Sequence, residues 1–289
     1  MWDALSPKQF KVSFSEFITS LEKISSDVIS IDGKTIRNSG KESALHIVSA
    51  WCHQNQLVFG QEKVNSKSNE ITAIPKVLDL LDLENKVITI DAMGAQREIC
   101  QKIVGAKGDY VISLKGNQRT LHNDVKLYLS DPKNHETINE NNEKGHGRLE
   151  QRIAIVAHDV AWLNELHDWP GLNGIGQITA TVWKKGKETK ETRYYISSLA
   201  LDASRLNEIA RKHWSIENQL HWSLDVLFNE DKACIRNDNA AEKDILCKWA
   251  MAVLVKAKSK PDQTIKSVMR KNAMSIKHLA SSVNKSFRA

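Results

Sequence analysis

Short apolar runs of period two alternate with longer stretches of helical period along the first half of the chain. Phe10, Phe14, Phe17 and Leu21 stand at helical spacing and predict a short amphipathic helix. Three strand candidates follow. Val28-Ile29-Ser30-Ile31 ends at Asp32, and His46–Trp51 and Leu57–Gly60 are joined by Gln54-Asn55-Gln56, a hairpin turn. The pattern then changes to Ser68-Asn69-Glu70, which opens a helix through Ile71, Ile74, Val77 and Leu81, with Asn69 or Ser68 as its cap. Val87-Ile88-Thr89-Ile90 is a second strand ending in an aspartate, Asp91. A helix over Arg97–Val104 and a strand Tyr110–Leu114, ending at Lys115, come next. An antiparallel meander followed by alternating strands and helices predicts an α/β fold whose sheet has parallel members.

The second half reads differently. Asp131–Gly147 is polar and reads as a loop, and β-like runs return at Gln151–Val156, Gln177–Trp183 and Arg193–Leu199. This β-rich stretch interrupts the α/β alternation and is read as an insertion. A long helical region begins near Asp202 and carries Trp214, Glu217 and Trp222. The expected organisation is a helical linker over 1–27, a core over 28–130 and 200–255, a β-rich insertion over 131–199 and a basic tail over 256–289.

The 289 residues suffice for one large core with an inserted subdomain. No apolar run approaches the roughly 20 residues that span a bilayer, and the opening residues lack the apolar centre of a signal peptide. A cytoplasmic protein is expected. Cys52, Cys100, Cys234 and Cys247 are scattered without a C-x-x-C pair, so a zinc ribbon or disulfide framework is not expected. The net charge is +6. Residues 256–289 hold nine Lys/Arg against one acid, which leaves a near-neutral body and a basic tail suited to a polyanion.

Two strands end in aspartate, and sites in open α/β sheets gather at the carboxyl ends of strands. Two such carboxylates suit hard divalent cations, and a pair of ions about 4 Å apart serves phosphodiester chemistry. Aspartate after a strand is equally an ordinary turn or cap residue. Asp32-Gly33-Lys34-Thr35 lacks the upstream glycine of a phosphate-binding P-loop, because residue 28 is Val. In the stretch from His213 to Asp231, His213, Glu217 and His221 share a helical face. No H-E-x-x-H is present, and a helix carboxylate joining the strand aspartates is the sharper expectation.

The segments ISIDGKTIR, SKSNEITAIPKVLDLLDL, VITIDAMGAQREI, GDYVISLKGNQ, GHGRLEQR, TRYYISSL and HWSIENQLHWSLDVLFNED occur in this order. Together they resemble the H-repeat-associated (IS-As type) group of bacterial insertion-sequence transposases of the DDE class, over roughly residues 5–255. The resemblance implies an RNase H-like catalytic core with a β-rich insertion before the last catalytic helix. It implies that Asp32, Asp91 and Glu217 are the catalytic acids and hold two Mg²⁺ or Mn²⁺ ions, with Asp225, Glu230 and Asp231 as neighbouring competitors for the third position. The implied reaction is cleavage and strand transfer on double-stranded DNA at the element's ends and target, by a homodimer or higher oligomer at the bacterial nucleoid. Lys115, Arg148, Arg152 and His213, with Trp183, are the candidate DNA contacts. The alternatives are a catalytically silent DNA-binding remnant and an RNase H-like nuclease without strand transfer.

The chain departs from the wider class in two ways. Ala210, His213 and Leu224 stand where that class carries Tyr, Arg and Lys around the glutamate. The chain also begins near a point that relatives reach only after a substantial N-terminal segment, so a truncated copy is expected.

Overall fold

The computed structural model describes residues 9, 12–14, 16–18, 28–39, 44–64, 69–145, 147–232 and 238–286. Phe14 and Phe17 of the expected first helix are helical and buried; Phe10 and Leu21 lie outside the described residues, as do Ser68 and Cys234. The chain forms a mixed α/β structure of two compact units, one built from residues 1–27, 32–81 and 215–289, the other from 28–31 and 82–214.

In the first unit, the end of β1 (Val28–Ile36) neighbours β2 (Leu45–Cys52), which pairs antiparallel with β3 (Leu57–Lys63). The β2–β3 register shifts at Ala50/Trp51, and the turn between them is held by the Cys52 thiol, which donates to Asn55 Oδ1 at 2.8 Å. Helix α1 (Glu70–Leu78) buries Ala73, Ile74, Val77 and Leu78. It stops three residues short of the expected Leu81. Asn69 occupies its N-cap position without a side-chain hydrogen bond. The remaining helices of this unit come from the C-terminal third of the sequence.

In the second unit, Val28–Ile31 of β1 pairs parallel with β4 (Val87–Ile90), and β4 with β5 (Asp109–Leu114). Helix α2 (Arg97–Gly105) is the crossover between β4 and β5 and buries Ile99, Cys100 and Ile103. These strands are almost wholly buried, as expected of parallel strands. Helix α3 (Arg119–Tyr128) follows β5.

The stretch read as a polar loop is not one. Residues Thr137–Gly145 form strand β6. It is the outermost strand, pairing only with β7 (Arg148–Ala157), and few of its side chains are even half-buried. An edge strand with no apolar face carries no period-two signal, and its charged residues guard the open edge. Helix α4 (Ala161–His167), β8 (Gly174–Lys184) and β9 (Lys187–Ser197) follow. β7, β8 and β9 form antiparallel pairs in sequence, and β9 pairs with β5 through Val111↔Ser197 to Leu114↔Tyr194. The β-rich stretch therefore extends the sheet of the parallel strands. Helix α5 (Ala203–Ser215) buries Leu206, Ile209 and Ala210 against Val156, Ile178 and Tyr195. Asp202 Oδ1 accepts from the Arg205 amide at 2.7 Å, at the start of this helix.

Candidate active site

Glu217 stands on an unusual piece of helix. Residues Ile216–His221 form a π-helix that runs into α6 (Trp222–Val226). Ile216, Leu220 and Leu224 repeat every four residues and are fully buried with Trp51, Leu57 and Met251. That stripe fixes the rotation of the segment. Trp51 Nε1 also donates to Ser215 Oγ at 3.0 Å, just before the first π-helical residue. Glu217 and His221 then lie together beside the buried stripe. Single π-helical turns within α-helices often occur at functional sites.

Opposite them is Asp32, the first β1 residue past the buried Val28–Ile31 run; the strand does not end there, as the sequence predicts, but continues to Ile36. Asp32, Glu217 and His221 each offer one donor atom, and the three atoms lie within 4.8 Å of one another. His221 Nδ1 is 3.5 Å from Glu217 Oε2 and 3.7 Å from Asp32 Oδ2. Burial first, then the charge and hydrogen bond of Glu217, push the Asp32 carboxyl up to about 8. Asp32 Oδ2 is buried without a hydrogen-bond partner among the described residues. A crowded carboxylate pair with an orphaned oxygen is a donor set that a divalent cation would satisfy. The oxygens suit Mg²⁺ or Mn²⁺, and the imidazole favours Mn²⁺ of the two.

The three acids that compete with Glu217 in the sequence are engaged elsewhere. Lys34 Nζ lies 2.7 Å from Asp225, 2.8 Å from Glu230 and 3.6 Å from Asp231. Burial alone would lower the Lys34 pKa, but Asp225 and Glu230 outweigh it and raise it. Glu230 is pushed up to about 7 by burial, with Asp244 adding to the rise and Lys248 and Lys34 opposing it. Lys248 completes a second buried group. Its Nζ donates to Ser49 Oγ, Gln61 Oε1 and Asp244 Oδ2, each at 2.9 Å. It projects from α7 (Asp238–Lys256) onto β2 and β3.

Sequence reasoning passed over one pair beside Asp32. His46 Nε2 lies 2.6 Å from Glu70 Oε1, and His46 Nδ1 lies 2.7 Å from Thr35 Oγ1. His46 and Glu70 are separated by most of two strands and a connection, so only their roles in starting β2 and α1 were legible.

Asp91 belongs to the other unit. The β1–β4 register sets Ile31 against Ile90, and the next residue in each chain direction is an aspartate. Asp91 Oδ1 accepts from the Met93 amide at 3.0 Å and caps the short turn Ala92–Gly94. Lys115 follows β5, exposed at the start of another such turn. Asn117 and Gln118 of that turn donate to the Ala92 and Ala95 carbonyls at 2.6 and 2.8 Å, tying the Lys115 turn to the Asp91 turn. Arg148 and Arg152 both pair with the buried Glu150, Arg148 at 3.2 Å. Trp183 Nε1 donates to Glu188 Oε2 at 3.0 Å. His213 is half-buried on α5.

Among the described residues, Cys52, Cys100 and Cys247 are buried thiols outside any disulfide. Burial pushes Cys100 up to about 12 and Cys247 to about 11, which makes both inert at neutral pH. Among the described residues no helix is long and apolar enough to cross a membrane.

A family model described as "Transposase DDE domain" matches residues 24–255. The chain is similar to the "Putative transposase YncI" of Escherichia coli O157:H7, 42% identical over 247 residues that cover 81% of this chain and 63% of the relative. It is similar to the "H repeat-associated putative transposase YhhI" of Escherichia coli strain K12, 42% identical over 254 residues, 82% of this chain and 66% of the relative. An "Uncharacterized protein in dhlA 3'region" of Xanthobacter autotrophicus is 37% identical over 210 residues, 70% of this chain and 71% of the relative. The chain thus spans just under two thirds of the length of the two Escherichia coli relatives.

Proposed function

Because the chain belongs to the DDE-domain transposase family, we propose that it cleaves DNA at insertion-sequence ends and joins the freed strands to target DNA, on an RNase H-like core. Asp32, Asp91 and Glu217 are the catalytic acids of this reading. The observation that carries it is the meeting of Asp32 and Glu217, from the middle of strand β1 and a distant helix, around an orphaned buried carboxylate oxygen.

The chain's own residues have clear tasks. Asp32, Asp91 and Glu217 would hold two Mg²⁺ or Mn²⁺ ions, with His221 as a further donor to the ion at Asp32. When bound, such ions lower the pKa of an attacking hydroxyl and stabilise the charge on a leaving oxygen. The buried residues of β1 and β4 hold the aspartates on rigid strands, and the buried stripe of Ile216, Leu220 and Leu224 fixes the glutamate. In-line attack tolerates little misplacement, so rigid support is part of the chemistry. Lys115, on the turn bonded to the Asp91 turn, is exposed and suited to a phosphate. Arg148, Arg152 and His213 are further DNA contacts in this reading, the two arginines already oriented by Glu150. The basic residues 256–289 add phosphate contacts that do not depend on sequence. On DNA the protein acts as a dimer or higher oligomer.

The test uses the purified chain, Mg²⁺ or Mn²⁺, and duplex DNA carrying the sequences that flank its gene. The reading predicts cleavage at the element boundary, and joining when precut ends are supplied. Cleavage without joining would reduce the protein to a nuclease. DNA binding without cleavage would make it a silent remnant and overturn the proposal.

A further inference from the structure

Asp32 on β1 is flanked by a carboxylate outside the three-donor group. Glu70 opens helix α1, and its Oε1 bonds His46 Nε2 at 2.6 Å. A carboxylate oxygen only accepts, so Nε2 carries the imidazole proton. In the neutral ring His46 Nδ1 then accepts, and the Thr35 hydroxyl donates to it at 2.7 Å. The hydroxyl, ring and carboxylate form a directed chain with one tautomer. Thr35 and Asp32 belong to the same strand, β1, so the strand that carries Asp32 also orients the partner of Glu70.

Gly33 shows how close this pair comes. A Cβ at residue 33 would collide with the Glu70 carboxylate and would sit 2.5 Å from His46 Nε2. The backbone next to Asp32 therefore gives up a side chain to admit a carboxylate, at a φ that any residue adopts. An ordinary turn would not call for this. Glu70 also adds to the negative potential at Asp32. The carboxylate is largely buried, with 15% of its side chain exposed. Water screens it little.

We propose that Glu70, oriented by His46, is a positioning residue of the metal site: it sits outside the Asp32–Glu217–His221 donors and sets how tightly a divalent cation binds there. This rests on the proposed function, since it presumes a cation at Asp32. Groups just outside a metal's ligands typically change its affinity by about 10- to 100-fold when removed, and Glu70 acts here through its charge beside Asp32. Glu70→Gln keeps shape and removes the charge. His46→Gln keeps an amide donor but loses the ring that links Thr35 to Glu70.

The experiment measures Mn²⁺ binding to the full chain by electron paramagnetic resonance, without DNA, for wild type, Asp32→Asn, Glu70→Gln and His46→Gln. Thermal unfolding in EDTA is run beside it. The proposal expects Asp32→Asn to abolish the bound signal. It expects Glu70→Gln to weaken Mn²⁺ by about 10- to 100-fold, and His46→Gln by a smaller factor, with unfolding midpoints near wild type. Loss of binding in Asp32→Asn with unchanged affinity in Glu70→Gln would overturn this inference alone. Unchanged binding in Asp32→Asn would overturn the underlying metal site. If Glu70→Gln fails to fold, His46→Gln decides, and wild-type affinity there refutes the proposal.

Discussion

Replacing Asp32 by Asn tests whether the carboxylates are crowded in the way the geometry indicates. The wild-type carboxyl is pushed from an ordinary 3.8 up to about 8, by burial first and by Glu217 second. A carboxyl raised on folding holds its proton more tightly in the folded chain, so its ionised form costs stability. That cost is absent below the unfolded value of 3.8, grows as pH rises, and is complete above about 8. Each pKa unit corresponds to about 1.4 kcal/mol, so the full displacement is on the order of 6 kcal/mol. Glu217 is 54% exposed and Asp32 14% exposed; solvent screens the repulsion and relieves part of the burial cost, and together these lower the expected effect to about 2 kcal/mol. Asparagine cannot ionise. Urea unfolding in EDTA should therefore find Asp32→Asn more stable than wild type by about 2 kcal/mol at pH 8.5, with the gap closing toward pH 4. Millimolar Mg²⁺ should stabilise the wild type and shrink the gap, because a ligand that binds only the folded state adds to stability. A variant no more stable than wild type at pH 8.5 in EDTA would refute the reasoning.

Other perturbations follow the same physics. Lys248→Met leaves Asp244, 2% exposed, as a buried charge without its cation, and should cost about 3–5 kcal/mol in urea unfolding. Adding Asp244→Leu should recover most of it, as a double-mutant cycle would show. Lys34→Met removes the cation from Asp225, Glu230 and Asp231. Its stability loss should be larger at pH 8 than at pH 5, because Glu230, raised to about 7, is protonated at the lower pH and has less need of the cation. Gly33→Ala should cost about 1–3 kcal/mol by overpacking and should weaken Mn²⁺ binding, both readable on one preparation. Duplex DNA affinity should fall steeply between 50 and 200 mM salt, by roughly a thousandfold if six phosphates are contacted; a flat response would remove the basic tail from the interface.

Periodicity was a good guide where burial was one-sided or complete. The runs before Asp32 and Asp91 lie in strands β1 and β4 because every residue of Val28–Ile31 and Val87–Ile90 is buried, but β1 runs on through Asp32 to Ile36, where burial is only partial and leaves no clear period. It failed at β6, whose Asn- and Glu-rich residues face solvent at a sheet edge and leave no pattern to detect. Within the site, Asp32 and Glu217 were legible from the apolar run before Asp32 and from family resemblance. His221 was noticed only as one rung of a histidine ladder, since the π-helix that sets its place has no sequence period of its own. The His46–Glu70 pair and the Lys34 cluster were not legible. Their partners are brought together by tertiary packing, and a lone histidine on a strand or a lysine after Asp-Gly has no local signature.

The central claim, that the two strand aspartates and the π-helical glutamate run one metal-dependent reaction on DNA, meets its most direct test in a single cleavage assay. Wild type and Asp91→Asn are compared on duplex DNA carrying the flanking sequences of the gene, with Mg²⁺ or Mn²⁺. Cleavage by wild type, lost in the variant, is the predicted result. Equal cleavage by the two proteins would contradict it.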